Sequence, residues 1–279
     1  MRVQTVNNSP MKDTPATTPK RIFLCLAILL GAVMAHSLCN ATVVVYEGFC
    51  YSENPESERI GWLTNWRQGD GEVKHIGNDL KYDGLASCAG AIQLNGPKVT
   101  VASQLNTPLF GTTYGSARIK TGHIKPDSVI AITFAGPETE DVVPKNSAIS
   151  LILKAWKQEL GTISRKSTKT EFESGSPIQS NSDYLLIWHM EQSKHVTMWI
   201  LDESQAKHFT QQGFATEQME NARIGAAPDN VMQRISAQLS KKLDIDRGYL
   251  LSCFALSCPG TMFDEIRISD SSLAEAVGM

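Results

Sequence analysis

The chain has 279 residues, 42% of them hydrophobic and 20% charged, enough apolar material for one large domain or two small ones. Its net charge is −3, and Arg2, Lys12, Lys20 and Arg21 against Asp13 leave the part after residue 41 at −6. A mildly acidic domain without a basic stripe argues against nucleic acid or an anionic membrane surface as partner.

In chain order, Met1 to Pro19 is polar and reads as a long leader, with Met11 as an alternative start. Lys20-Arg21 then precedes an uncharged apolar run of 14 residues, Ile22 to Ala35. A bilayer-spanning helix needs about 20 apolar residues, so the run is short for an anchor and suits a signal-peptide core. Cleavage after Ala35 or after Ala41 is possible. Ala41 is preferred because Thr42 opens a strand-like run; an uncleaved anchor is the competing reading. Residues 1–41 are therefore expected to be leader and signal peptide, and 42–279 a single domain. The expected location is secreted, periplasmic or in the cell envelope, with no membrane span after cleavage.

Beyond Thr42, short alternating segments read as strands: Thr42–Tyr46, Val73–Ile76, Ala91–Leu94, Val99–Leu105, Gly115–Thr121, Val129–Phe134, Ala148–Trp156, Tyr184–Met190, His195–Trp199, Tyr249–Phe254 and Met262–Ile268. Turn signals such as Asn95-Gly96-Pro97 and Lys125-Pro126-Asp127 separate them. Strands at this spacing without long helices between them predict an all-β antiparallel sandwich. One segment differs. Val231, Ile235, Leu239 and Leu243 recur every four residues behind Pro228-Asp229, which predicts a short helix or irregular insertion near 229–243.

With cleavage after Ala41, Cys25 and Cys39 leave with the signal, and Cys50, Cys88, Cys253 and Cys258 remain. In an oxidising compartment they are disulfide candidates. Cys253–Cys258 with Cys50–Cys88 is the preferred pairing, against buried free thiols. No spacing matches a zinc site.

Several of these segments resemble a family. Val45-Tyr46-Glu47-Gly48-Phe49, Gly61-Trp62, Trp66, Leu80-x-Tyr82-x-Gly84-Leu85 and the closing Phe263-Asp264-Glu265-Ile266-Arg267-Ile268 resemble the ends of concanavalin A-like, LamG-like jelly-roll domains of exported bacterial proteins. Tyr184 to Trp188 with His195 to Ile200 resembles their central hairpin. The resemblance implies a jelly-roll sandwich in an exported setting. It implies little about activity, since the fold hosts lectins, glycan-cleaving enzymes and adhesion modules.

Sugar rings stack on exposed aromatic faces. In His195–Trp199, Val196 and Met198 share one face, which leaves Trp199 on the other; in Ala148–Trp156 the same alternation turns Trp156 away from Ile149, Leu151 and Leu153. If the two strands are neighbours, Trp156, His189 and Trp199 would form one open ligand-binding surface. Trp62 and Trp66 read as structural. Glu171 and Glu173 could share a strand face, but the run beside Ser174-Gly175-Ser176-Pro177 reads as a solvated hairpin end rather than a glycosidase pair. No catalytic residue is assigned, no G-x-S-x-G or H-E-x-x-H occurs, and the balance is against an enzyme. No cofactor is expected. Asp79 with Asp83, or Asp244 with Asp246, could offer oxygens to Ca2+, but no run gathers the six to eight ligands calcium takes. The expected function is a non-enzymatic exported module that binds a glycan or a cell-surface macromolecule. A structural or protein-interaction module of the envelope is the alternative, and a divergent glycoside hydrolase or lyase the third reading.

Overall fold

Alternation along the chain becomes two stacked antiparallel sheets in the computed structural model. It describes residues 43–49, 59–77, 80–88, 90–106, 109, 111–135, 148–154, 158–161, 176–191, 195–238 and 250–279. The strands are β1 (Val43–Glu47), β2 (Arg59–Ile60), β3 (Arg67–Gln68), β4 (Glu72–Ile76), β5 (Ala91–Asn95), β6 (Lys98–Gln104), β7 (Thr113–Lys120), β8 (Val129–Ala135), β9 (Ala148–Lys154), β10 (Gln158–Gly161), β11 (Asp183–Glu191), β12 (His195–Leu201), β13 (Gln233–Gln238), β14 (Leu250–Leu256) and β15 (Thr261–Ser269). The helices are α1 (Glu203–Gln211), α2 (Thr216–Asn221) and α3 (Leu273–Val277). Ala41–Met279 group into one compact unit.

The first sheet runs β13-β12-β11-β7-β15-β1-β2, with β5 also on β15 and β4 on β5; the second runs β10-β9-β8-β14-β6-β3. Every strand predicted from alternation is present, and β11 and β12 form the expected hairpin, with Trp188 opposite Met198. β15 borders two strands along one edge: Thr261 to Phe263 pair with β5, and Ile266 to Ser269 with β1. A register shift between Asp264 and Arg267, with Glu265 in the left-handed region at φ 49°, separates the two pairings.

The main core lies between the sheets and includes Ile92, Leu94, Ile119, Ile132, Phe134, Leu186, Trp188, Met198 and Phe263. Gly115 stands opposite Trp188 across β7 and β11, where a Cβ would overlap the indole ring. A second cluster lies apart from the main core. It joins Leu185, Ile187, Trp199 and Leu201, at strand positions that alternate with the core residues, to Phe209 of α1, Phe214, Met219 of α2, and Leu273 and Val277 of α3. β11 and β12 are thus buried on both faces, which is why they read as nearly continuous apolar runs.

Over the described part of 229–243 the expected helix is not formed: residues 233–238 are β13, paired with β12 so that Ile235 faces Met198. Of the described residues in that spacing only Ile235 lies in β13, where it joins the main core, while Val231 precedes the strand and packs in the second cluster. Leu239 and Leu243 lie outside the described residues. Helices stand instead at α1, α2 and α3. Asp202 caps α1 by accepting from the Gln205 backbone N–H at 2.9 Å, while Gln205 Oε1 accepts from the Asp202 N–H at 3.2 Å.

The Cys253–Cys258 pairing is also corrected. Both are buried free thiols. Cys253 belongs to the main core on β14 of the second sheet, whereas Cys258 lies in the turn that crosses to β15 of the first, where Thr261 Oγ1 donates to its sulfur at 3.0 Å. Burial raises both thiol pKa values and keeps the sulfurs protonated.

Candidate functional site

The residues expected to form an open aromatic surface do not come together as one. β9 and β12 belong to different sheets, and Trp156 lies outside the described residues. Trp199 does turn away from Val196 and Met198, but its indole is 0% exposed in the second cluster. Alternation placed the ring on the correct face; the 202–232 segment covers that face.

His189 is buried as well. Its ring stacks on Tyr114, with centroids 4.7 Å apart and planes 6° from parallel. Nε2 lies 3.8 Å from Glu191 Oε1 and Nδ1 3.8 Å from Glu220 Oε1 of α2. Burial is the largest influence and holds its pKa below the ordinary histidine value, against the pull of Glu191 and Glu220. Such a histidine is part of the packing beneath α2.

Trp62 and Trp66 are structural, as expected. Trp62 Nε1 donates to the Tyr46 carbonyl at 2.8 Å and Trp66 Nε1 to Glu47 Oε2 at 2.8 Å. The closing carboxylates hold backbone. Asp264 accepts from the N–H groups of Leu80 at 2.8 Å and Glu265 at 2.7 Å. Glu265 accepts from the Cys88 N–H at 2.6 Å and from Arg267 at 2.7 Å. Buried Arg118 donates to the carbonyls of Leu80 at 2.8 Å and Ala86 at 2.6 Å. This network ties segment 80–88 to the bulge of β15. Desolvation pushes Asp264 up to about 8. Cys50, Asp79, Glu171, Glu173, Asp244 and Asp246 lie outside the described residues.

A different concavity is built at the opposite end of β11. There the first turn of α1 stands beside the start of the strand, and together they border a cleft of about 620 Å³. α1 and its N-cap contribute Asp202, Glu203, Ser204 and Lys207; the start of β11 and the segment before it contribute Gln179, Ser182, Asp183 and Tyr184; Met232 and Asp83 complete the lining. Lys207 Nζ reaches Asp83 Oδ2 at 2.9 Å, and Lys120 Nζ lies 3.7 Å from Asp183 Oδ1. Tyr184 is almost wholly buried, and its hydroxyl accepts from the Gln179 N–H at 2.8 Å. The cleft therefore presents hydroxyl, amide and carboxylate groups and no stacking ring.

Gln205 stabilises this corner. It is fully buried, and its Nε2 donates to the Gly225 carbonyl at 2.7 Å, tying the 223–231 loop to α1. A smaller hollow of about 200 Å³, lined by Ile124, Pro126, Pro177 and Ile178 among others, shares Gln179 with the cleft.

Sequence reading missed this site because its residues come from four distant segments. One signal was available: Asp202-x-x-Gln205 is a capping pattern that marks a helix start. Among the described residues, no group of three His, Cys, Asp or Glu side chains is placed to hold a metal ion. Among the same residues, no helix is long and apolar enough to cross a membrane.

No family model matches the sequence, and no curated protein matches it. Among solved structures, the receptor-binding domain of botulinum neurotoxin D aligns with a TM-score of 0.48 and 11% identity over 85% of this chain and 51% of that one. The type G receptor-binding domain aligns with 0.47 and 9% identity over 85% and 50%. A protein of unknown function from Shewanella oneidensis MR-1 aligns with 0.48 and 10% identity over 94% and 98%. The chain spans about half the length of the neurotoxin domains. A likeness of this degree assigns neither a family nor a ligand.

Proposed function

We propose that the protein is an exported, non-enzymatic β-sandwich module that binds a glycan or another surface macromolecule through the cleft between α1 and the start of β11. The supporting observation is the cleft itself: about 620 Å³, with hydroxyl, amide and carboxylate side chains converging from the sheet, the helix cap and segment 80–88. Ligand sites are concavities in which a few polar groups fix orientation. Here Ser182, Ser204 and Gln179 can both donate and accept, and the carboxylates accept from hydroxyls, a set that suits a polyhydroxylated ligand. Recognition by ring stacking, the mode expected from Trp156 and Trp199, has no accessible described ring at this cleft.

A glycan array tests the reading, with the Ser204→Trp variant as the control. Ser204 is exposed on the first turn of α1, so the indole fills the cleft without entering the core. The expected result is binding by the protein and loss of it in Ser204→Trp. Equal binding by both would remove the cleft from the proposal, and an array without any bound glycan would remove the glycan.

Export is part of the same proposal and allows Cys50 to pair with Cys88. The Cys88 sulfur lies 3.0 Å from the carbonyl oxygen of Gly48, two residues before Cys50. Alkylation with and without prior reduction, read by mass spectrometry, should label Cys50 and Cys88 only after reduction. Labelling of both without reduction counts against the pairing.

A further inference from the structure

We propose that His189 is an acid-sensitive latch on α2: when the ring gains a proton, α2 lifts from the first sheet and opens the second cluster at Met219, while the two sheets stay stacked. The latch lies at the other end of β11 from the cleft and acts whether or not the cleft binds a ligand. Its parts come from three elements. The ring stacks on Tyr114 of β7; Glu191 of its own strand stands 3.8 Å from Nε2, and Glu220 of α2 stands 3.8 Å from Nδ1. At that distance neither carboxylate is within hydrogen-bond reach. Nε2 is buried and has no hydrogen-bond partner among the described residues.

A neutral imidazole has one donor and one acceptor, whereas the imidazolium has two donors. Protonation in the closed form therefore buries a charge whose donors have no acceptor in reach, a costly state. Glu191 and Glu220 favour the charged ring, but both side chains are about half exposed, at 55% and 51%, so water weakens their pull. His195 of β12 acts against the charge, and burial outweighs all three. The closed ring thus titrates below the ordinary value of 6.5, while a ring freed into water returns to about that value. The open form holds the proton more tightly, so opening is favoured as pH falls below about 6.5 toward the closed-form pKa.

α2 is built to be the part that moves. It has six residues, and its N-cap Ala215 offers no side-chain hydrogen bond, whereas α1 has nine residues and a capping box. A helix that short has no stability of its own in water. Met219, 0% exposed in the second cluster, anchors it, and Arg234 of β13 donates to the Glu220 carbonyl at 2.6 Å. Glu220 follows Met219 directly, so a displacement of the carboxylate that faces His189 is passed to the anchor. Elements held by few buried contacts open at a lower free energy than the whole fold.

Oxidation by hydrogen peroxide, read residue by residue by mass spectrometry at about pH 7.5 and about pH 5.5, tests the latch, since a methionine must be reached by the oxidant to become a sulfoxide. Met219 reports on α2, and Met198, equally buried but in the main core, is the internal control. Sulfoxide formation at Met219 should speed up several-fold at the lower pH, one proton allowing at most about tenfold per pH unit, with Met198 unchanged. Equal rates at the two pH values overturn the latch. A parallel rise at Met198 also overturns it, because the sandwich itself would then be opening. In His189→Gln the acid response of Met219 should vanish; a response as large as that of the unsubstituted protein places the switch elsewhere. Glu220→Gln changes an exposed side chain and removes a group that favours the charged ring in the closed form, so it should enlarge the response. An unchanged or smaller response in Glu220→Gln counts against the latch.

Discussion

Residues 202–232 serve two regions of the first sheet, with opposite results. Over Leu185, Ile187, Trp199 and Leu201 they bring Phe209, Phe214 and Met219, and the sheet's outer face becomes a second core. At the start of the same segment, Asp202, Glu203, Ser204 and Lys207 border an open cleft. The side of a helix can be apolar, but its first turn carries unsatisfied N–H groups and needs polar caps. One helix laid against a sheet therefore closes its flank and leaves a polar hollow at its end. A tryptophan on the outer face is then a packing residue, and the open polar groups lie at the cap.

The strongest way to break that contrast is Trp199→Ala. If the ring is core, its loss costs about 3–5 kcal/mol of stability in urea titrations, the range for a buried aromatic. A variant of native stability would return Trp199 to the candidate ligand surface. Next is Asp202→Ala, which removes the cap of α1 and should cost about 1 kcal/mol, together with a change at the cleft. Chemical denaturation reads the first effect, and titration with a bound glycan the second.

His189 gives a smaller, pH-dependent effect. Its folded pKa lies below the ordinary value of 6.5. Between those two values the unfolded chain binds a proton that the fold does not, so stability is fully present above about 6.5 and falls as pH drops toward the folded pKa. His189→Gln should flatten that part of the stability curve in thermal melts at stepped pH. A slope unchanged in the variant would show that the ring is not responsible. The smallest effect is expected from Lys207→Ala. Its partner Asp83 is exposed and the lysine lies in solvent, so the melting temperature should not measurably change. A clear drop would mean that the cleft rim is part of the stabilising structure.

Much of the fold was legible in the chain. The runs at Val129, Tyr184, His195 and Met262 alternate or remain apolar over strand lengths, and each is a strand within a few residues of its expected bounds. The short β2, β3, β10 and β13 were missed. β2 and β3 are two residues each, too short for a period to show, and β13 was hidden because the four-residue spacing that suggested a helix includes only Ile235 of its residues. The carboxylates of the closing strand bond backbone N–H groups of segment 80–88, far away in the chain, so their role became visible only in the fold. The cleft was not legible, because Asp83, Asp183, Glu203 and Met232 carry no shared spacing.

From its own letters, this chain determined which residues share a side of each longer strand and that the strands would form an antiparallel sandwich, and its Asp202-x-x-Gln205 pattern marks a helix start. Those are local matters of backbone period and end-capping. Only the tertiary structure decided that the outer side bearing Trp199 and His189 would be covered, that Cys253 and Cys258 would stay apart, and that four separate segments would meet at one polar hollow. Alternation says that two side chains lie on the same face; what comes to lie upon that face depends on contacts between residues distant in the chain.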